Sequence, residues 1–122
     1  MRDTQALGRY GEDVAARYLS SQGYEVIVRN WRSPRRDLPG ELDIIARSQD
    51  CLVFCEVKTR RSIASGTPAD AVTRDKVSRL RRLAGLWLSL HDARAAEIRI
   101  DVIAVMRPIS GPARIEHLRG VA

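Results

Sequence analysis

The chain has 122 residues, a length that fits one domain around a single core. Hydrophobic residues make up 44% and charged residues 30% of it, the composition of a globular rather than a disordered protein. The 21 Lys+Arg against 15 Asp+Glu give a net charge of +6 and a pI near 10.1; such a surface attracts phosphate backbones whatever their sequence, though it serves solubility equally well.

Residues 5–22 predict a helix. Thr4 is placed as its N-cap, Leu7, Tyr10, Val14 and Tyr18 recur on one stripe, and Gly23 stands where a C-terminal glycine would. Gly8, Gly11 and Ala15 form an adjacent small-residue face that would let the helix lie close to a sheet. Glu12 borders that face, either as a solvated helix carboxylate or as a carboxylate aimed over the sheet toward a metal site. Tyr24–Trp31 predicts a strand, with Val26 and Val28 alternating against Glu25 and Ile27. Arg29, Arg32, Arg35 and Arg36 then put four arginines in eight residues without an acid, and Pro34 and Pro39 make the segment a loop. Such a loop suits phosphate contact with base stacking on Trp31, or is merely solvated with Trp31 in the core.

The stretch from Gly40 to Arg60 carries the most chemistry. Two β-rich runs, Leu42–Ala46 and Leu52–Thr59, flank a polar break at Ser48-Gln49-Asp50, the pattern of a hairpin. Glu56 and Lys58 then project from the face that also carries Leu52 and Phe54. With a two-residue turn at Gln49-Asp50, or a four-residue loop of the same register, residues whose numbers sum to ninety-nine face each other, and Asp43 stands opposite Glu56. Like charges directly opposed across a sheet destabilise it. Protonating one carboxylate relieves the clash, and so does a cation between them, either Lys58 or a divalent ion bound by hard oxygens. A three-residue loop would break this register. Cys51 and Cys55 lie on one strand, too far apart to bridge and with no zinc-site partners, so they read as buried free thiols in a reducing compartment.

Beyond residues 60–67, a second helix is predicted from about Pro68 to His91, with Thr67 as N-cap and Pro68 in its first turn. Val72, Leu80, Leu83, Ala84, Trp87 and Leu90 share its apolar arc. Lys76 lies inside that arc, either snorkelling past the core or reaching the hairpin carboxylates or a bound phosphate. From Lys58 to Arg82 there are eight basic residues and two acids, Asp70 and Asp75, a stronger bias than that of the whole chain. Ile98–Met106 predicts a strand with Asp101 on the face of Ile103 and Val105, as a supporting acid, a buried hydrogen-bonded group or an edge residue. Ala113–Leu118 adds an edge strand, and His91 and His117 receive no role. No apolar run approaches the length of a membrane span, and Met1-Arg2-Asp3 leads into no apolar signal segment, so a cytoplasmic protein without a membrane partner is expected.

The order helix, strand, hairpin, helix, strand, with Glu12, Asp43 and Glu56-Val57-Lys58 in sequence, resembles the restriction-endonuclease-like nuclease superfamily. Its motif is an acid on one strand followed by Glu/Asp-x-Lys on the next, and the glutamate of the first helix resembles the arrangement in archaeal Holliday-junction resolvases. More closely, the chain is similar to the YraN-like family of small bacterial proteins. The blocks that carry this likeness are GRYGEDVAARYL (8–19), GELDIIA (40–46), VFCEVKTR (53–60), AVTRDKVSRLRRLA (71–84) and RIDVIAV (99–105).

The resemblance implies an α/β fold with a restriction-endonuclease-like αβββαβ core, a mixed sheet flanked by helices. It implies Asp43 and Glu56 as ligands of Mg²⁺ or Mn²⁺, with the Val57 carbonyl adding an oxygen, Lys58 orienting or deprotonating the attacking water, and Glu12 holding a water of the ion or a second ion. The activity implied is metal-dependent hydrolysis of DNA, branched or with free ends. Arg29, Arg32, Arg35, Arg36, Arg60, Arg61, Arg74 and Lys76 are the residues assigned to nucleic-acid contact. A non-catalytic nucleic-acid-binding module that keeps the fold is the alternative, and an interaction protein with structural salt bridges is a third reading. A homodimer would suit cleavage of both strands.

Overall fold

A computed structural model of the chain describes residues 2–61, 70 and 72–121, with the backbone alone for residues 2–4. The chain runs α1(Arg2–Ser21), β1(Glu25–Arg32), β2(Glu41–Ser48), β3(Cys51–Arg60), α2(Arg74–His91), β4(Glu97–Met106) and β5(Arg114–Leu118). The five strands form one sheet in sequence order. Every adjacent pair is antiparallel except β3 and β4, which run parallel and are connected through α2. A parallel pair needs such a crossover. The fold is therefore α/β, a mixed sheet with a helix packed on each face and the αβββαβ element order expected from the resemblance, extended by β5.

The central strand explains the two-layered core. Alternation along β3 sends Cys51, Val53 and Cys55 into the cluster under α1, where Val14, Ala15 and Leu19 pack. The same alternation sends Leu52 and Phe54 against Leu80, Leu83, Ala84 and Trp87 of α2. Both faces of β3 are thus covered, and its first five residues are all buried. Among the described residues both thiols are free and buried, and burial pushes that of Cys55 far up. No described helix is long and apolar enough to cross a membrane.

Several local features differ from the sequence reading, each for a physical reason. Helix α1 already includes Thr4, so that residue is not its N-cap. Its end is as expected: Gly23 adopts φ +91°, its N–H bonds the Ser20 carbonyl, and the Tyr24 N–H reaches back to Leu19. Gly11 backs directly onto Thr59, where a Cβ would lie 1.7 Å from Thr59 Oγ1, and Ala15 is fully buried, but Gly8 faces open space. Helix α2 begins at Arg74, not near Pro68. Thr73 is its N-cap, its side chain accepting the Lys76 N–H at 3.2 Å. Thr67 and Pro68 lie outside the described residues. Val72 precedes the helix, Leu90 is 53% exposed, and Leu86 is buried in its place. Strand β1 carries a bulge between Val26 and Val28. The inserted residue puts Val26 against the α1 cluster and Val28 against the α2 cluster, instead of both on one face. Trp31 packs on the α2 cluster, edge-on to His91.

On the α1 face Asp101 is fully buried and fully partnered. Arg99 Nε donates to its Oδ1 at 2.9 Å, Gly120 N–H donates to the same oxygen at 2.9 Å, and His117 Nε2 lies 2.6 Å from Oδ2. His117 Nδ1 in turn lies 2.9 Å from the Tyr18 hydroxyl, and Arg99 Nη2 donates to Tyr24 Oη at 2.6 Å. Of the roles open to Asp101, the buried hydrogen-bonded group is the one observed. Burial alone would raise its pKa, but the His117, Arg99 and Gly120 donors hold it below the usual carboxylate range.

Candidate metal centre at the end of the β2–β3 ladder

Strands β2 and β3 pair from Ser48↔Cys51 to Ile44↔Cys55, the register in which paired numbers sum to ninety-nine. The connection is the two-residue turn, with Gln49 in the left-handed region at φ +55°. One step past Ile44↔Cys55, Asp43 faces Glu56 and the regular pattern gives way. Leu42 and Ile45 both pack toward α2 while Ile44 packs toward α1, so strict alternation breaks at Asp43. The Val57 N–H donates to Asp43 Oδ2 at 2.8 Å.

The two carboxylates meet. Burial pushes Asp43 up to about 7, only partly opposed by the Val57 N–H and reinforced by the charge and hydrogen bond of Glu56 and by the charge of Glu12. Asp43 therefore holds its proton well above the ordinary carboxylate range beside the facing Glu56. From α2, Lys76 Nζ lies 2.6 Å from Glu56 Oε2, so Lys76 reaches the hairpin carboxylates rather than snorkelling past the core. Lys58 lies on the same face, two residues along from Glu56. A hydrogen bond from Lys76, burial and the charge of Lys76 all push Lys58 below the ordinary lysine value, against the pull of Glu56 and Asp43. Burial would lower Lys76 as well, but its hydrogen bonds to Glu56 and Lys58 raise it on balance.

Glu12 arrives from the other layer. The close approach of Gly11 to Thr59 sets α1 low over the end of β3, and Glu12 then hydrogen-bonds Asn30 of β1. Its pKa is raised, chiefly by burial, with Asn30 and Arg29 opposing and Glu41 and Asp13 adding to the rise. Asn30 has φ +55° and lies between the pairs Arg29↔Ile44 and Trp31↔Leu42, which places it across from Asp43. A non-glycine residue in the left-handed region inside a strand is strained, and asparagine tolerates it better than most. Asn30 is a site residue that the sequence reading missed. Its one signal was a polar, turn-favouring side chain inside a strand run.

The arginines are distributed differently from expectation. Arg29 pairs with Asp13 at 2.7 Å, Arg32 with Glu41 at 2.5 Å, and Arg35 with Asp37. The segment 29–36 holds no acid in sequence, yet three of its four arginines meet one in space. Arg36, Arg61 and Arg74 are exposed, and Arg60 lines the cleft beside the acids. That cleft, of about 440 Å³, lies between β3 and the start of α2. Lys58, Arg60, Lys76 and Arg79 line it together with Glu41, Glu56, Asp70 and Asp75, so its charges balance before any ion binds.

Whether these residues suit a divalent ion follows from the donor set. Among the described residues no three His, Cys, Asp or Glu side chains form a group that holds a metal by itself. Asp43 and Glu56 nevertheless supply two hard carboxylates forced into contact, an arrangement stable only with a shared proton or a cation. Mg²⁺ characteristically takes one or two carboxylates and completes its shell with water and phosphate oxygens. The two carboxylates fit that mode.

Relatives agree on family. The model of the uncharacterised protein family UPF0102 matches residues 11–105, a span that includes Glu12, Asn30, Asp43, Glu56, Lys58 and Lys76. A UPF0102 protein of Beutenbergia cavernae is 59% identical over 99% of both chains. One from Parafrankia sp. is 54% identical over 98% of both, and one from Streptomyces coelicolor is 52% identical over 96% of this chain and 88% of its own. The YraN-like resemblance read from the sequence blocks is thereby confirmed at the level of the family, and the chain belongs to UPF0102.

Proposed function

We propose that the chain is a Mg²⁺- or Mn²⁺-dependent endonuclease that hydrolyses DNA phosphodiester bonds, on branched DNA or near free ends. The observation that carries this reading is the juxtaposition of Asp43 and Glu56 at the end of the β2–β3 ladder, with Lys58 two residues along on the same face. Asp43 and Glu56 would hold the ion, with the Val57 N–H fixing one Asp43 oxygen and so orienting the other. When bound, the ion supplies Lewis-acid charge to the phosphodiester. Lys58 would orient or help deprotonate the attacking water, or give a hydrogen bond to developing phosphate charge. Glu12, steadied by Asn30, borders the same space and orients water. Arg60 and Arg79, which line the cleft, supply phosphate contacts with Arg61 and Arg74; Arg29, Arg32 and Arg35 are paired with Asp13, Glu41 and Asp37.

Calorimetric titration of Mn²⁺ into the wild type and the Asp43→Asn/Glu56→Gln double variant tests the site, with a cleavage assay on junction, flap and duplex DNA alongside. Binding by wild type alone, together with cleavage of one substrate, is the expected result. Mn²⁺ binding with no cleavage on any substrate would favour the non-catalytic nucleic-acid-binding module. No Mn²⁺ binding at millimolar concentration would overturn the metal centre.

A further inference from the structure

The first turn of α2 delivers a cation to the acid pair before any metal is there. Thr73 caps the helix through the Lys76 N–H, and the Lys76 ammonium then lies 2.6 Å from Glu56 Oε2, the two side chains being 28% and 14% exposed. On its other side Lys76 lies beside Lys58 and pushes its pKa down. Two ammonium groups in contact repel. The arrangement holds because Lys76 is in direct ion-pair contact with Glu56.

A divalent ion on Asp43 and Glu56 would change that balance. Three cationic groups would then surround two carboxylates, and one must leave. Lys58 is tied to the strand that carries Glu56, whereas Lys76 comes from a separate element on a long flexible side chain. The cleft that opens beside it, with Arg60 and Arg79 on its walls, is where a phosphate would stand. We propose that Lys76 is an exchangeable counter-ion: it occupies Glu56 in the nucleic-acid-free protein, and transfers to the phosphodiester when DNA and metal arrive. This inference rests on the metal-dependent reading above and adds a coupling to it. Lys76 weakens ion binding in the free protein, and a bound polyanion removes that weakening. By linkage, the ion strengthens DNA binding by the same factor.

The test is a calorimetric Mn²⁺ titration of the full chain as wild type, Lys76→Met and Lys76→Arg, with and without a short DNA duplex, after a melting curve has shown each protein folded. Lys76→Gln is the second neutral variant should the methionine protein fail to fold. The expected result is that Lys76→Met binds Mn²⁺ about tenfold tighter than wild type, within the range usual for coupled sites, while Lys76→Arg behaves as wild type. The duplex should tighten Mn²⁺ binding to wild type by a similar factor and leave Lys76→Met unchanged. Equal or weaker Mn²⁺ binding by a folded neutral variant would overturn the exchange and leave the metal centre standing. Absence of Mn²⁺ binding by both wild type and neutral variant would overturn the metal centre and the exchange together.

Discussion

Replacing Asp43 by asparagine should make the protein more stable at alkaline pH and abolish metal-dependent cleavage. The asparagine is an isostere of the protonated acid: its oxygen still accepts the Val57 N–H and its amide donates toward Glu56. The Asp43 carboxyl, ordinarily near 3.8, is pushed up to about 7 in the fold by burial first and by Glu56 second. A raised carboxylate pKa adds stability that is fully present below the unfolded value and is lost as the pH rises through the folded one. The window is therefore about pH 4 to 7. About three units at roughly 1.36 kcal/mol each set a ceiling near 4 kcal/mol. Because Asp43 is coupled to the facing Glu56, which has Lys76 as a counter-ion, about 2 kcal/mol is the expected share. Urea unfolding at pH 5 and pH 8, in EDTA, measures it. Wild type should lose about 2 kcal/mol more than Asp43→Asn between the two pH values, and saturating Mn²⁺ at pH 8 should restore stability to wild type only. Parallel pH slopes for the two proteins would refute the raised Asp43 pKa, and with it the argument that this pair requires a cation.

Other expectations are simpler. Gly11→Ala, whose Cβ would meet Thr59 Oγ1 at 1.7 Å and its Cβ and Cγ2 at 2.8 Å, should cost about 1–3 kcal/mol by overpacking; an unchanged urea midpoint would show that α1 can lift off β3 freely. Lys58→Ala should cut turnover while Mn²⁺ affinity by calorimetry stays within a few fold; unchanged turnover would remove Lys58 from the chemistry. DNA binding should weaken log-linearly with salt, and Arg74→Ala should lower the slope by about 0.9. Arg35→Ala should leave that slope unmoved, since Asp37 already holds that guanidinium. Equal slopes for all three proteins would mean that the phosphate contacts lie elsewhere.

The hairpin was legible in the sequence because two constraints agreed. A polar break between two β-rich runs admits few turn lengths, and a two-residue turn, or a four-residue loop of the same register, fixes which side chains oppose. The pairing of Asp43 with Glu56 then follows from arithmetic. What lay beyond the sequence was whatever depends on a residue's neighbours in another layer. Nothing in the run Tyr24–Trp31 announces that one residue will bulge, because a bulge is chosen by the packing of both sheet faces at once. The arginine segment seemed free of acids because Asp13 and Glu41 are distant in sequence and adjacent in space. Lys76 stood out as a charge on an apolar arc, but only the position of β3 shows which carboxylate receives it. His117 drew no role because its partners, Tyr18 and Asp101, come from a helix 99 residues away and a strand 16 residues away.

Two aspartates, one on β2 and one on β4, show how the fold separates stability from chemistry. Asp43 has one N–H donor and a facing carboxylate, and its pKa goes up. Asp101 has Arg99, His117 and the Gly120 N–H, and its pKa goes down despite complete burial. The same isosteric change should thus have opposite effects. Asp101→Asn leaves the Arg99 guanidinium facing an amide that offers no charge and a donor where an acceptor is needed. Breaking a buried pair in this way costs about 3 kcal/mol or more. The stability Asp101 contributes is present above its unfolded pKa and is lost as the pH falls through its lowered folded value, so the deficit of the variant should be full at pH 7 and shrink in acid. The damage should also be local, because Asp101 holds the C-terminal segment through Gly120, beside the bond from Val121 N–H to the Ile100 carbonyl. Amide exchange at Gly120 and Val121 should quicken in Asp101→Asn, with the amides of β3 slowed as before. If Asp101→Asn instead matched wild type at pH 7, the α1-face network would be ornamental, and the contrast with Asp43 would reflect burial depth alone rather than the number of donors each carboxylate meets.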